Sequence, residues 1–365
     1  MTIYYILYAS MFFVAGISRG VTNSVEKQKK IICIYCFVVL FFLLALRHWC
    51  MGIDLGYGSV YNTGYIQSFH RLVKYSWEEI IFLESYLNYE KGYIVFNKLI
   101  GSMHQNKQFF LGCCAFINFL HIAWIINKKS RLPLLSWFIL LGLPVFLIFF
   151  SGLRQGIAIA IIVYSIRWIE EKNKKNFIIN VLIATTFHKT SMIFLVAYPI
   201  YYLKPTDLQR ILSLLAVPIV YLFRFPLFNI ASKLFKDNAK IEDTGAMMLF
   251  IIFFLVYIFM IYFADRNDTK TNGYINLYYI ACICQAFGSV YNSAQRVGYY
   301  FMIYLIVALP NVLANLKNNA LSNQKEFRLF YFIIAIAFIW FGLYSLESAT
   351  WAMTNPYVFY WQNPQ

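Results

Sequence analysis

The sequence predicts an all-α polytopic integral membrane protein, with about 12 transmembrane helices and a long first periplasmic segment. Three observations lead there. Of 365 residues, 61% are hydrophobic and only 13% are charged, with a mean hydropathy of +0.60. Apolar runs near the roughly 20 residues that cross a bilayer recur along the whole chain. Lys and Arg collect in the short stretches between those runs.

A bilayer offers no water to unpaired backbone groups, so apolar spanning segments read as helices. The expected spans are roughly 2–18, 31–46, 107–126, 133–150, 155–170, 176–188, 190–203, 209–225, 246–264, 274–292, 297–315 and 327–346. The first run, Ile3–Ile17, lacks a basic leading region and a small-residue cleavage site. It is expected to be retained as a span rather than removed as a signal. The spans are read as one membrane domain, residues 1–365, because no segment between them could build a soluble core.

The ambiguous element is 176–203, two short apolar runs around Phe187-His188-Lys189-Thr190. Loop charge arbitrates. If both runs cross, or form a re-entrant hairpin of equal parity, the loops 19–30, 127–132, 167–175, 204–210, 265–273 and 316–328 share one side. They then hold eighteen of the 31 Lys and Arg. A single crossing would nearly erase that bias. Two crossings are therefore expected, with the eighteen-charge side cytoplasmic and both termini outside. The net charge of +15 is then an orientation signal, and no nucleic-acid partner is expected.

Two outer segments are substantial, 47–106 and 226–245, both expected in the periplasm. The first contains an amphipathic stretch, Trp77–Tyr89. The second sets Lys233, Lys236 and Lys240 against Asp237, Glu242 and Asp243. Segments of this length in a compact protein suit a functional loop or lid. Tyr and Trp crowd the outer edges as an interfacial belt would. Gly58-Ser59-Val60-Tyr61-Asn62 recurs at Gly288–Asn292, but the flanks do not match and coincidence explains it. Six of the seven cysteines lie within spans, and no His or carboxylate completes a ligand set, so packing is their expected role.

All sixteen Asp and Glu fall outside the spans or at their edges, which argues against ion-coupled transport. No closely spaced carboxylate pair marks the outer edge, so neither metal nor cofactor is expected. The outer edge is basic instead. Arg47 closes the second span, and Asp54 follows it. Arg154 and Gln155 form the tight turn between two apolar runs. His188 caps the sixth span, and Arg296 opens the eleventh. An arginine at a span centre costs roughly 2.5–3.5 kcal/mol, so Arg154 at such a turn is informative. Each cation alone reads as a snorkelling edge charge. Several on the side that the charge rule depletes suit a phosphate or pyrophosphate, whose oxygens match the guanidinium fork. Asp54 and His188 are the candidate proton acceptors. His188 is favoured, as an imidazole is the better base at neutral pH.

These residues resemble a known family. Arg47, Gly52, Asp54 and Tyr57 resemble the R-x-x-x-G-x-D-x-x-Y signature of EpsG-like proteins, a group that includes many Wzy-type O-antigen polymerases. The spacing here is one residue longer before the glycine. Glu90-Lys91-Gly92-Tyr93, Leu153-Arg154-Gln155 and Phe187-His188-Lys189-Thr190-Ser191 match as well, and Arg296 and Asn355-Pro356-Tyr357 match more loosely. The resemblance implies a glycosyltransferase at the periplasmic face of a bacterial inner membrane. It would polymerise oligosaccharide repeat units carried on undecaprenyl pyrophosphate; that this needs no metal is expected from the missing carboxylate pair. His188 and Asp54 would be catalytic. Arg47, Arg154, Gln155, Arg296, Tyr57 and Glu90 would hold pyrophosphate or glycan. Membrane lipids and a chain-length regulator are the further candidate partners. An O-antigen ligase-type transferase and a lipid-linked oligosaccharide flippase are the alternatives. A flippase should line a central cavity with cations rather than one rim.

Overall fold

A computed structural model describes residues 1–57, 63–83, 86–234, 247–318 and 324–364. The first copy of the repeated pentapeptide and residues 235–246 of the second outer segment lie outside them. Among the described residues the chain is helical, with one isolated β-bridge between Arg47 and Phe359.

Helices α1 (Thr2–Val21) and α2 (Val25–Ala45) form a hairpin. Ser24 caps α2 by accepting from the Lys27 amide. The long first outer segment folds into α3 (Tyr65–Leu72), α4 (Trp77–Phe82) and α5 (Lys91–Met103). A capping box, Ser76 with Glu79, starts α4. Helix α4 stops short of the end of the amphipathic stretch, because Leu83 turns extended at ψ 109°, and Leu87 and Asn88 further on are left-handed, with φ 48° and 57°.

Next come α6 (Lys107–Lys129), α7 (Pro133–Gly142) and α8 (Pro144–Ile148). The expected span 133–150 is thus broken. Pro144 pushes Leu143 out of the helical region, to ψ 142°. After α9 (Leu153–Glu170) and α10 (Lys174–Thr185), the run 190–203 is a 3-10 segment, Lys189–Val196, leading into α11 (Ala197–Tyr201). Helix α12 (Asp207–Leu222) bends by 78° into α13 (Arg224–Leu234). The chain continues through α14 (Met247–Phe263), α15 (Thr269–Ala286), α16 (Asn292–Met302), α17 (Leu305–Asn318) and α18 (Gln324–Ser348).

Among the described residues, four helices (α1, α2, α6 and α18) are long and apolar enough to cross a membrane. The number becomes six if each bent pair, α12 with α13 and α16 with α17, is one span. The expected figure of about 12 is larger because it also counted short and broken apolar helices as crossings.

Loop contacts distinguish the two ends of the bundle. At one end Lys129 pairs with Glu170, Arg131 donates to Asp268 (2.8 Å), Arg266 pairs with Asp207, and the Tyr202 hydroxyl donates to the Ile169 carbonyl. At the other end sit the C-termini of α2 and α10 and the N-termini of α5 and α9. The chain therefore runs from the first of these ends to the second along α10 and returns along 189–203, a path with the same parity for two crossings and for a re-entrant hairpin. A separate apolar cluster lies beneath this second end. Tyr65 and Phe69 of α3 and Tyr93 and Phe96 of α5 pack there on Phe110 of α6 and on Leu153 and Ile157 of α9.

Candidate functional site

The segment 47–56 docks on the turn that precedes α9. Arg47 is 1% exposed. Its Nη2 donates to the carbonyls of Phe149 (3.4 Å) and Phe150 (3.2 Å), and its Nη1 to that of Leu44 (2.7 Å). Gly52 has φ +117°, and a Cβ there would overlap the Phe150 carbonyl. The Asp54 amide donates to Ser151 Oγ (3.2 Å). Gly56, at φ +90°, ends the short 3-10 turn Ile53–Leu55 against Gly64. The spacing of Arg47, Gly52 and Asp54 is thus the spacing of three grips on one turn, and the third presents the Asp54 side chain.

A second set of contacts gathers Glu90, Arg154 and His188. Gly92 makes room, since a Cβ there would strike Thr186, and the Tyr93 amide donates to the Thr186 carbonyl (3.2 Å). This brings the start of α5 against the end of α10. Glu90 is the N-cap of α5, yet its carboxylate makes no capping bond to its own helix. It reaches outward instead. Oε2 accepts from Arg154 Nη1 (2.6 Å), and Oε1 accepts from the Lys189 amide (2.9 Å). His188 Nδ1 lies 3.4 Å from Oε1, close to the carboxylate but not in a well-aligned hydrogen bond. Burial alone would raise the Glu90 carboxyl. The His188 ring, the Lys189 amide and the Arg154 charge outweigh it and hold the group at about 2.

Arg154 is fastened further. Its Nη1 also donates to the Asn88 carbonyl (3.2 Å) and its Nε to the Tyr65 hydroxyl (3.3 Å), and its guanidinium lies 4.5 Å over the Tyr89 ring. Arg154 and Gln155 do not form the inter-helix turn itself. They occupy the first helical turn of α9, which Gly152 opens without a side-chain cap. Among the described residues the amides of Arg154 and Gln155 find no backbone acceptor, as first-turn amides do not. Gln155 Nε2 donates to the Arg296 carbonyl (2.7 Å), which ties α9 to α16.

Above these contacts is a cavity of about 360 Å³, lined by Asp54, Arg154, Gln155, His188 and Arg296 together with Tyr65, Tyr89 and several glycines. Five of the sequence-selected residues thus share one wall. Arg47, Tyr57 and Glu90 do not line it. Arg47 lies under the turn, Tyr57 is exposed and packs on His48 and Trp49, and Glu90 stands behind Arg154 and His188. The Arg296 guanidinium faces Trp351 at 5.9 Å and has no acidic partner among the described residues. Sequence reasoning missed Tyr65 and Tyr89, whose only signal was membership of a tyrosine-rich outer segment. Among the described residues no three His, Cys, Asp or Glu side chains are grouped to hold a metal ion.

No curated protein and no solved structure matches the chain. Residues 30–359 match the EpsG family, and that range contains every residue of the cavity wall. The chain is a member of the EpsG family.

Proposed function

We propose that this protein is a glycosyltransferase that polymerises oligosaccharide repeat units carried on undecaprenyl pyrophosphate, at the periplasmic face of a bacterial inner membrane. Membership of the EpsG family supports polysaccharide-polymerase chemistry in general. The observation that carries the finer reading is one cavity whose lining holds both cationic groups and candidate proton acceptors. Arg296, without a carboxylate partner among the described residues, and the uncapped first turn of α9 suit an anion, because helix N-terminal amides and a guanidinium both attract phosphate. Asp54 and His188 supply proton acceptors on the same wall. We read the helical runs, including the short and broken ones, as about 12 crossings that hold this cavity at the outer membrane edge.

In the reaction, a hydroxyl of the acceptor repeat unit attacks the anomeric carbon of the donor glycan. The new glycosidic C–O bond forms as the bond from that carbon to the phosphate oxygen breaks. The electron pair leaves with the lipid pyrophosphate, and the acceptor proton passes to His188. Arg296 and the α9 amides stabilise charge that develops on the leaving group. Preorganised donors of this kind are worth roughly 10²–10³ in rate each. Arg154 is charge-compensated by Glu90, so it shapes the wall and offers its remaining Nη2 rather than a free cation. Direct displacement inverts the anomeric centre and needs no covalent intermediate.

The test is purified full-length protein with lipid-linked repeat units, with lipid A–core added as a competing acceptor. A ladder of lipid-linked products is expected. Transfer only to lipid A–core, with no ladder, would move the assignment to a ligase-type transferase.

A further inference from the structure

We propose that Glu90 is a positioning residue that fixes the His188 imidazole with Nδ1 toward its carboxylate and Nε2 toward the cavity. This rests on the functional reading above, in which His188 accepts the acceptor proton. Three observations support it. The Glu90 carboxylate abandons the capping bond available at its own helix end and spans to two other elements, α9 and the turn after α10. The ring nitrogen it approaches is Nδ1, at 3.4 Å, in a residue whose ring also lines the cavity. Glu90 itself does not line the cavity, so its effect on substrate passes through the side chains in front of it.

The chemistry follows from the imidazole. A neutral ring carries one N–H and one lone pair, and the partner of one nitrogen decides which nitrogen keeps the proton. With the Nδ1 proton directed at a carboxylate, the lone pair is on Nε2, the nitrogen left for substrate. When Nε2 takes the acceptor proton, the new imidazolium lies beside a negative charge. Arg154 on the opposite oxygen and the Lys189 amide keep Glu90 ionised and its orientation set. The arrangement also divides labour among the cations. Glu90 neutralises Arg154, which leaves Arg296 as the cavity cation free to meet the pyrophosphate.

Two measurements test this. The first uses unaltered full-length protein, ¹⁵N-labelled at its five histidines, with His188 assigned by its absence from the spectrum of His188→Gln. At alkaline pH the His188 ring should carry its proton on Nδ1. A ring protonated on Nε2 overturns the proposal and leaves the polymerase reading standing. The second is steady-state polymerisation by Glu90→Gln. We expect kcat to fall about 10- to 100-fold with KM within about twofold, as for loss of a group that orients a catalytic ligand. Because Glu90 acts through His188, the losses should not multiply. The double variant should fall within about threefold of His188→Ala alone. Multiplying losses, or a raised KM with kcat kept, would make Glu90 an independent ligand or scaffold and overturn the proposal. A His188→Ala protein that polymerises normally would remove the base assignment and this proposal together.

Discussion

Gly52 lies so close to the Phe150 carbonyl that no side chain fits between them. Arg47 holds the same carbonyl from its other side, and Asp54 is tied to Ser151, the next residue. Arg47 and Gly52 therefore act as fasteners of this turn, and the third grip leaves the Asp54 side chain lining the cavity. Arg47 and Gly52 fix the height of the turn from which α9 starts, and that height places Arg154 and Gln155 in the cavity wall. Gly52→Ala is expected to abolish turnover, because the residue must leave φ +117° and retract from Phe150. Native-like helix content by circular dichroism with no polymer formed is the expected result. Normal polymer from Gly52→Ala would show that the turn tolerates displacement.

Arg47 leads to a different expectation. Its two terminal guanidinium nitrogens serve three backbone carbonyls, and the residue is 1% exposed and does not line the cavity. Arg47→Met leaves those buried acceptors unpaired, at a cost of roughly 2–4 kcal/mol. Thermal unfolding in detergent should show the loss, and Arg47→Lys should recover only part, having no fork. A variant as stable as the native chain but unable to bind lipid pyrophosphate would return Arg47 to the ligand role.

The sequence made the membrane-helix class legible, because apolar run length and loop charge are local signals. It also pointed to Asp54, Arg154, Gln155, His188 and Arg296, which line one cavity, but grouped them with Arg47, Tyr57 and Glu90, which do not. It could not separate Arg296, which faces the cavity, from Arg47, which faces carbonyls, because both are arginines at the end of an apolar run. Tyr65 and Tyr89 were hidden among 29 tyrosines, most of which suit an interfacial belt. The structural link from Glu90 to His188 spans 98 positions and depends on the absent side chain of Gly92, a packing fact with no local signature. The break at Leu143-Pro144 was legible from the proline, and the expected span 133–150 overlooked it.

The two cavity arginines should separate kinetically. Arg154→Lys keeps the charge but cannot serve Glu90, Asn88 and Tyr65 together. It should lose most chain growth, with kcat falling more than KM rises. Arg296→Ala should weaken binding of lipid-linked donor, and Arg296→Lys should recover part, since its charge has no acidic partner among the described residues. Donor binding and turnover measured on all three variants decide the matter. Normal-length polymer from Arg154→Lys would refute the bracing role.

Glu90 also gives a pH signature for stability. Its carboxyl is held at about 2, below the roughly 4.3 of an unfolded glutamate. A depressed folded value means that the unfolded state binds the proton more readily. The stabilisation is present in full above the unfolded value and is lost as pH falls toward about 2. The gap in unfolding temperature between the native chain and Glu90→Gln should be constant at neutral pH and shrink between about pH 4.5 and pH 2. A gap that does not change on acidification would show that the Glu90 contacts add no charge-dependent stability.

Orientation can be tested from the two ends of the bundle. Ser151 is fully buried, so a cysteine there would be a poor reporter, whereas Thr63 and Ser293 are exposed at the cavity end and Lys172 is exposed at the other. In a background lacking the seven native cysteines, Thr63→Cys and Ser293→Cys should react with a membrane-impermeant maleimide in intact spheroplasts. Lys172→Cys should react only after the inner membrane is opened. The expectation follows from loop charge. The end bearing Lys129, Arg131, Arg167, Lys172, Lys204 and Arg266 is the basic one, and basic loops are retained in the cytoplasm. The opposite labelling pattern would put the cavity on the cytoplasmic side, where a lipid-linked repeat unit is assembled rather than polymerised, and the polymerase assignment would fall with it.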